Sequence, residues 1–357
     1  MDVLSDVMAI VRTGRPRSAR VEWRAPWGQR FPAVPGSAGF QVILQGGAWL
    51  LPPAGDPVQL YVGDVVFFPH GHGYALADGP ATPVAEVACD PAEEGSLFAS
   101  ASIDGPGATT VTLCGGYRLD AGRAHPVLRE LPEMIHLPAR LGHHPELRAA
   151  VDLLAAEITA PRLGADTIVG SLLDTLLVYI LRAWFTAERE HCQAGGWAAA
   201  LGDPSVSAAL DAMHRDPDHP WTVQELGARA GLSRAAFSRR FTALVGQPPL
   251  AYLTWWRLAT AARLLRRSDA SLGEIAARVG YGSEFAFANA FKREYGMPPG
   301  RYRREACPVP PDDTAWSTRP AHPDGEGVGP ARARGEGLGP VQARGEAAAG
   351  RALPTGA

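Results

Sequence analysis

Two stretches of this sequence decide its reading. The first is Thr222-Val-Gln-Glu225-Leu-Gly-Ala-Arg-Ala-Gly231-Leu-Ser233-Arg-Ala-Ala-Phe237-Ser-Arg-Arg-Phe241. The second is Ser271-Leu-Gly-Glu274-Ile-Ala-Ala-Arg-Val-Gly280-Tyr-Gly-Ser283-Glu-Phe-Ala-Phe287-Ala-Asn-Ala-Phe291. Each opens with a hydroxyl residue followed three positions later by glutamate, the pattern in which side chain and backbone cap each other at a helix start. Each then meets a glycine, Gly231 or Gly280, suited to the left-handed conformation of a tight turn. A serine, Ser233 or Ser283, caps the next helix. Leu226 with Ala230, Ile275 with Val279, and the pairs Phe237/Phe241 and Phe287/Phe291 supply two small cores. One helix-turn-helix of this kind is a weak signal. Two, with their serine caps 50 residues apart, are a strong one.

Charge agrees with this. The chain has 357 residues, a formal net charge of −3 and almost no lysine, Lys292 being the sole one. Between Pro204 and Arg304, 15 Lys and Arg face 8 Asp and Glu, against 19 and 29 in the rest. A basic segment on an acidic chain is the footprint of a phosphate-binding module, although a merely solvated basic face has the same composition. Between the two motifs, Pro249 to about Arg267 predicts a connecting helix with proline in its first turn. At about 1.5 Å per residue it is on the order of 27 Å long, near the ~34 Å between successive major-groove faces.

Over about residues 205–305 the chain resembles the AraC/XylS family. The resemblance is carried by Gly280-Tyr281, Ser283, Phe287, Ala290-Phe291-Lys292-Arg293 and Tyr295-Gly-Met-Pro-Pro-Gly-Arg301-Tyr-Arg303. The first motif matches at Ser233-Arg234, Phe237, Arg239, Phe241 and Gly246-Gln-Pro-Pro. It implies two major-groove helices. Base-reading positions are then Ala235, Ser238 and Arg239 in the first, and Glu284, Phe285 and Asn289 in the second. Arg239 suits guanine, Asn289 adenine and Glu284 cytosine N4. Arg234, Arg240, Lys292, Arg293, Arg301 and Arg303 are expected on phosphates, which position without reading sequence. Two of these have a plainer alternative: Arg240 in an ion pair, and Glu284 in stabilising its own helix N-terminus.

Residues 20–118 read as short strands broken by Pro52-Pro-Ala-Gly-Asp56 and Ala77-Asp-Gly-Pro80, the pattern of a sandwich or barrel. Gly63-Asp-Val-Val-Phe-Phe-Pro69-His70-Gly71-His72-Gly-Tyr74 resembles the second cupin motif. The cupin pattern puts a metal-binding histidine where Tyr74 stands, and Gly46-Gly-Ala-Trp49 lacks the histidines and glutamate of the first motif. A catalytic metal needs three or four ligands, so a metal-free, non-enzymatic sensor barrel is expected. Thr112-Leu-Cys-Gly-Gly-Tyr-Arg-Leu119 and Arg129-Glu-Leu-Pro resemble the same subgroup. His70, His72, Tyr74, Trp49 and Cys114 are the candidate effector-pocket residues, against the plainer readings of a solvated rim, aromatic core and inert thiol.

From Pro145 the period becomes helical. Leu147, Val151, Leu154 and Ile158 mark one helix. Ile168, Leu172, Leu176, Ile180 and Trp184, with Leu173, Leu177 and Leu181, give the next a wide apolar face, either covering the barrel or forming a dimer interface. Leu172–Phe185 is broken by Asp174 and Arg182 and is too short to span a bilayer. Met1–Gly14 carries Asp2 and Asp6 where a secretory leader has basic residues. Four scattered cysteines suggest neither zinc nor a disulfide framework. Gln193-Ala-Gly-Gly reads as a linker. The repeat Gly327-Val-Gly-Pro-Ala-Arg-Ala-Arg-Gly-Glu, followed by its near copy from Gly337, reads as a disordered tail.

The expected class is an α+β multidomain protein. A cupin-like β-barrel occupies 1–130, a helical linker and dimerisation segment 131–200, an all-α double helix-turn-helix domain 205–305, and a tail 308–357. The implied partners are double-stranded DNA, a small-molecule effector, a second copy of the chain and RNA polymerase. No cofactor and no membrane are implied, and the cytoplasm is the expected location. A cupin enzyme anchored to DNA and a barrel that only dimerises are the alternatives for the N-terminal half.

Overall fold

The computed structural model describes residues 3–85, 97–119, 125–140, 143–191 and 196–306. The expected linker at Gln193 and the expected tail after Pro308 lie outside the described residues, as do Cys89, Cys192 and Cys307. The chain begins with α1 (Val3–Val11), which the sequence reading did not anticipate. Strands β1 (Arg12–Arg24), β2 (Gly28–Phe31), β3 (Ser37–Gln45), β4 (Gly47–Leu51), β5 (Val58–Tyr61), β6 (Val65–Phe68), β7 (Tyr74–Ala77), β8 (Phe98–Ile103) and β9 (Thr109–Leu119) follow. After them come α2 (Pro126–Arg129) and β10 (Ile135–Leu137).

One sheet runs β10-β6-β3-β9-β1-β8 and the other β2-β7-β4-β5. The central strands β3 and β6 are buried on both faces, and period-two alternation splits their side chains between two cores. Ile43, Val66, Phe68 and Cys114 point between the sheets, where they pack with Trp23, Trp27, Leu50, Leu60, Tyr74 and Leu76. Phe40, Val42, Val65, Phe67, Leu113 and Tyr117 point the other way, into a core shared with the helices.

Those helices are α3 (Pro145–Thr159) and α4 (Ala165–His191). Leu147, Val151, Leu154 and Ile158 of α3 are buried, as the spacing predicts. On α4, Leu173, Leu176, Leu177, Ile180 and Leu181 are buried in the same core. Ile168 remains exposed and Leu172 half-buried. Packing against α3, the sheet and α5 therefore absorbs most of the wide apolar stripe, whose breadth does not by itself require a second copy. α4 is long and apolar enough to cross a bilayer, but these leucines face the protein interior.

The remaining helices are α5 (Gly196–Gly202), α6 (Pro204–Arg215), α7 (Val223–Arg229), α8 (Arg234–Val245), α9 (Pro249–Arg267), α10 (Leu272–Arg278), α11 (Glu284–Tyr295) and α12 (Pro299–Ala306). The two motifs are housed differently. Leu226, Phe237, Phe241 and Val245 of the first belong to the large core that also holds Val3, Phe40 and Leu173. Ile275, Val279, Phe287 and Phe291 of the second form a separate core with Leu258, Leu265 and Tyr302. The first motif is thus joined to the barrel half through α5, α6 and α9, and the second is carried at the far end of α9.

Candidate nucleic-acid interface

Both motifs are built by the local chemistry that the sequence announces. Thr222 Oγ1 accepts from the Glu225 amide at 3.2 Å, and the Glu225 carboxylate accepts from the Thr222 amide at 2.9 Å. Ser271 and Glu274 repeat this at 3.2 and 2.8 Å. Hydrogen bonds from backbone and hydroxyl hold both carboxyls below the usual glutamate range. Gly231 and Gly280 turn the chain at φ +68° and +76°, where an L side chain is strained. Ser233 Oγ accepts from Ala236 N at 3.3 Å, and Ser283 Oγ from Ala286 N at 3.2 Å.

α8 and α11 are the second helices of their motifs. Phe237, Phe241, Phe287 and Phe291 are fully buried and lock the inner face of each. Ala235 and Arg239 on α8 are exposed and Ser238 is half-buried; Glu284, Phe285 and Asn289 on α11 are all exposed. Phe285 leaves 78% of its surface in solvent, on the helix face where an apolar ring can meet a thymine methyl. The connecting helix α9 has the limits read from the sequence, Pro249 to Arg267.

The expected phosphate-contacting side chains fall into two groups. Arg234, Lys292 and Arg293 are exposed. The others have partners. Arg240 Nε donates to Asp203 Oδ2 at 2.6 Å, and that carboxylate also caps α6 by accepting from Val206 N at 2.9 Å. Burial opposes the Asp203 charge, but the Arg240 and Val206 hydrogen bonds outweigh it and hold the carboxyl below its ordinary value. Arg301 pairs with Glu305 at 2.6 Å, and Arg303 donates to the Ala270 carbonyl. For Arg240 the plainer alternative, an ion pair, is the arrangement found.

Sequence reading missed Arg257. From the middle of α9 its guanidinium donates to Pro217 O at 2.6 Å and to His219 O at 2.8 Å. It thereby ties α9 to the loop preceding the first motif. Nothing local in the sequence marks it, because its partners are carbonyls some forty residues upstream.

In the barrel, Tyr74 is stacked between Phe31 and Phe68, with centroids at 4.9 and 3.9 Å. Its hydroxyl accepts from Gln41 Nε2 at 2.9 Å, and burial pushes its pKa far up. A ring held in an aromatic stack is no metal ligand, and among the described residues no three His, Cys, Asp or Glu side chains converge. The residues at the cupin metal position do not fit a metal. Trp49 is half-buried on β4 and His72 exposed. His70 Nε2 lies 2.9 Å from Leu131 O. Cys114 is buried, its thiol pushed up to about 12 by burial. Between the sheets the described aromatic side chains stack on one another, Trp23 lying on Trp27 at 4.7 Å. A cleft of about 460 Å³ lies on the outer side, between the β6/β10 edge and α3. Its floor is Val65, Leu137 and Val151, and Arg140 and Arg148 stand at its rim.

Two capped helix-turn-helix units joined by one long helix, behind a double-sheet barrel, define a DNA-binding regulator with a fused N-terminal barrel domain. A cupin family profile matches residues 2–186, and a helix-turn-helix domain profile matches residues 226–305. A putative AraC-like transcription regulator of Streptomyces lividans is 36% identical over 85% of this chain and 98% of its own. One of Streptomyces antibioticus is 35% identical over 86% and 100%. Among solved structures, the DNA-binding domain of AdpA in complex with a target DNA is 38% identical. That match covers 29% of this chain and 92% of that one, with a TM-score of 0.28. The chain belongs to the AraC-like transcription regulators with a cupin N-terminal domain. It is a DNA-binding protein, not an enzyme.

Proposed function

We propose that this regulator reads a specific duplex site by laying α8 and α11 in successive major grooves, with Arg239, Asn289, Glu284 and Phe285 on base edges. Ala235 and Ser238 line the same face, and Arg234, Lys292 and Arg293 hold phosphates. One observation carries the reading: two helices, each capped by a serine, present solvent-exposed readers at the two ends of a single connecting helix. Arg240, Arg301 and Arg303 keep their intramolecular partners and contribute to placement more than to contact.

A small-molecule effector controls the switch, acting in the cytoplasm where the DNA is. The outer cleft suits a compact organic anion, because an apolar floor meets Arg140 and Arg148 at the rim, the latter drawn from its 3.5 Å pair with Asp152. A second copy docks on the outer α3/α4 face, where Leu153, Leu163 and Ile168 are exposed. RNA polymerase is the downstream partner. Genome-wide mapping of bound sites tests the reading: a discrete motif with two groove contacts about one turn apart supports it, and diffuse binding opposes it. Thermal shift against a panel of organic anions tests the cleft, since a ligand of the folded state raises Tm and Arg148→Ala removes that rise.

A further inference from the structure

Four buried polar side chains cross from the sensor half to the DNA-binding module and back. His125, the N-cap of α2, is fully buried. Its Nδ1 accepts from the Val127 amide at 3.0 Å, so the ring proton of the neutral form sits on Nε2. That Nε2–H faces Tyr252 Oη at 3.1 Å. Tyr252, in the first turn of α9, has one hydroxyl proton, and among the described residues the acceptor left for it is His214 Nε2 of α6, at 2.6 Å. The proton of His214 is then on Nδ1, directed at Asp6 Oδ2 of α1 at 3.3 Å. Every hydrogen is thereby assigned: His125 donates to Tyr252, Tyr252 to His214 and His214 to Asp6. The two ends belong to the sensor half and the two middle members to the DNA-binding module.

We propose that this chain is the clasp that positions the DNA-binding module on the sensor domain, and that protonation of its two histidines opens it. In the closed form each histidine uses one ring nitrogen as an acceptor, and an imidazolium has none. Adding a proton to His125 sets Nδ1–H against the Val127 N–H. Adding one to His214 sets Nε2–H against the Tyr252 hydroxyl proton.

The surroundings also favour neutral rings. His214 lies flat on Trp256, with centroids 3.6 Å apart and planes 2° from parallel. His125 meets Trp197 and Trp255 at 4.7 and 4.9 Å. Burial lowers the pKa of both histidines. For His125 the nearby His214 and Arg129 of α2 add to the effect. For His214, Asp6 and then Asp211 of α6 oppose it in part. Arg263 of α9 is the further charge within reach of Asp6, and burial holds the Tyr252 phenol neutral. A released histidine titrates near ~6.5. Below that pH the open form binds more protons than the closed one, so docking weakens as pH falls. The readers on α8 and α11 are exposed in the closed form, so opening does not uncover them. It frees the first motif from a fixed place on the sensor half.

The test is small-angle scattering of the full chain from about pH 8 down to about pH 5, with far-UV circular dichroism alongside, the window bracketing the histidine range. The clasp predicts a radius of gyration that rises as pH drops below about 6.5 while helicity is retained. His125→Gln/His214→Gln, which keeps amide donors and acceptors but cannot titrate, stays compact throughout. Tyr252→Phe, which loses the central hydroxyl and introduces no new charge, is already expanded at the alkaline end. A wild-type radius constant over the range overturns the proposal. So does expansion of the double glutamine variant at the wild-type midpoint, or a folded Tyr252→Phe protein that stays compact and follows the wild-type profile.

Discussion

Gly280 lies against the guanidinium of Arg257: a Cβ added at residue 280 would stand 2.7 Å from Arg257 Nη2. The turn of the second motif is therefore built over the side chain that ties α9 to the loop before the first. One cation reaches the second motif and the loop that leads into the first, so the spacing of the two reading helices depends on a contact as well as on the length of α9.

The two turn glycines should consequently differ on substitution. Gly231→Ala meets nothing within 4 Å and bears only the left-handed strain, about 1 kcal/mol. Gly280→Ala carries the same strain and must also displace Arg257 and the Asp218 backbone, whose Cα would stand 2.9 Å from the added Cβ, so its loss is the larger, roughly 2–3 kcal/mol. Chemical denaturation of both variants checks the order. Equal losses would remove the close approach of Arg257 and the Asp218 backbone to residue 280 from the account.

Asp203 both caps α6 and holds Arg240. Asp203→Ala is expected to destabilise by about 1–2 kcal/mol. The sign of its pH dependence follows from the lowered carboxyl pKa. The contribution is present above the unfolded value of ~3.9 and is lost as pH falls through the lower folded value. Asp203→Asn should lack that acid-limb component. Stability profiles of wild type and Asp203→Asn that stay parallel down the acid limb would show that the carboxylate is not favoured in the fold.

Cys114 should be inert. It is buried, its thiol donates to the Ala19 carbonyl at 3.5 Å, and burial keeps it protonated. Only the thiolate is nucleophilic. Alkylation followed by peptide mass spectrometry should label Cys114 in denaturant and leave it unlabelled in the native protein at neutral pH. Rapid native labelling would restore a redox reading.

Arg234→Ala and Lys292→Ala should weaken binding alike for all sequences, each lowering the slope of log affinity against log salt by about 1. Arg303→Ala, whose guanidinium is held by the Ala270 carbonyl, should instead lower stability and leave the salt slope unchanged. Salt titrations on one duplex separate the two behaviours.

The C-terminal module was legible nearly residue by residue, because its signals are local. Capping pairs three residues apart, glycines at positive φ and phenylalanines four apart mark their own elements. The limits of α9 followed from Pro249 and the end of the apolar period. The barrel was legible as short strands, but β3 and β6 face two cores, so they show no apolar–polar alternation to assign their sides. α1 was missed because its role is to present Asp6, Val3 and Val7 to segments distant in sequence. The His125–Tyr252–His214–Asp6 chain had no sequence signal, since its members lie 38 to 208 residues apart. The apolar stripe of α4 was seen, and its partners, α3 first and then the sheet, became known only from packing. Tyr74 was read as lacking the metal ligand; its place inside an aromatic stack required the fold.

The central claim is that two helices read two separate parts of one site. The most direct measurement is the binding of a randomised duplex library by wild type, Arg239→Ala and Asn289→Ala at fixed salt. The account predicts that each variant loses roughly 1–3 kcal/mol on the best site and relaxes preference at one position. The two relaxed positions should lie about one helical turn apart. Relaxation at the same position in both variants, or a uniform loss without any change of preference, would contradict it.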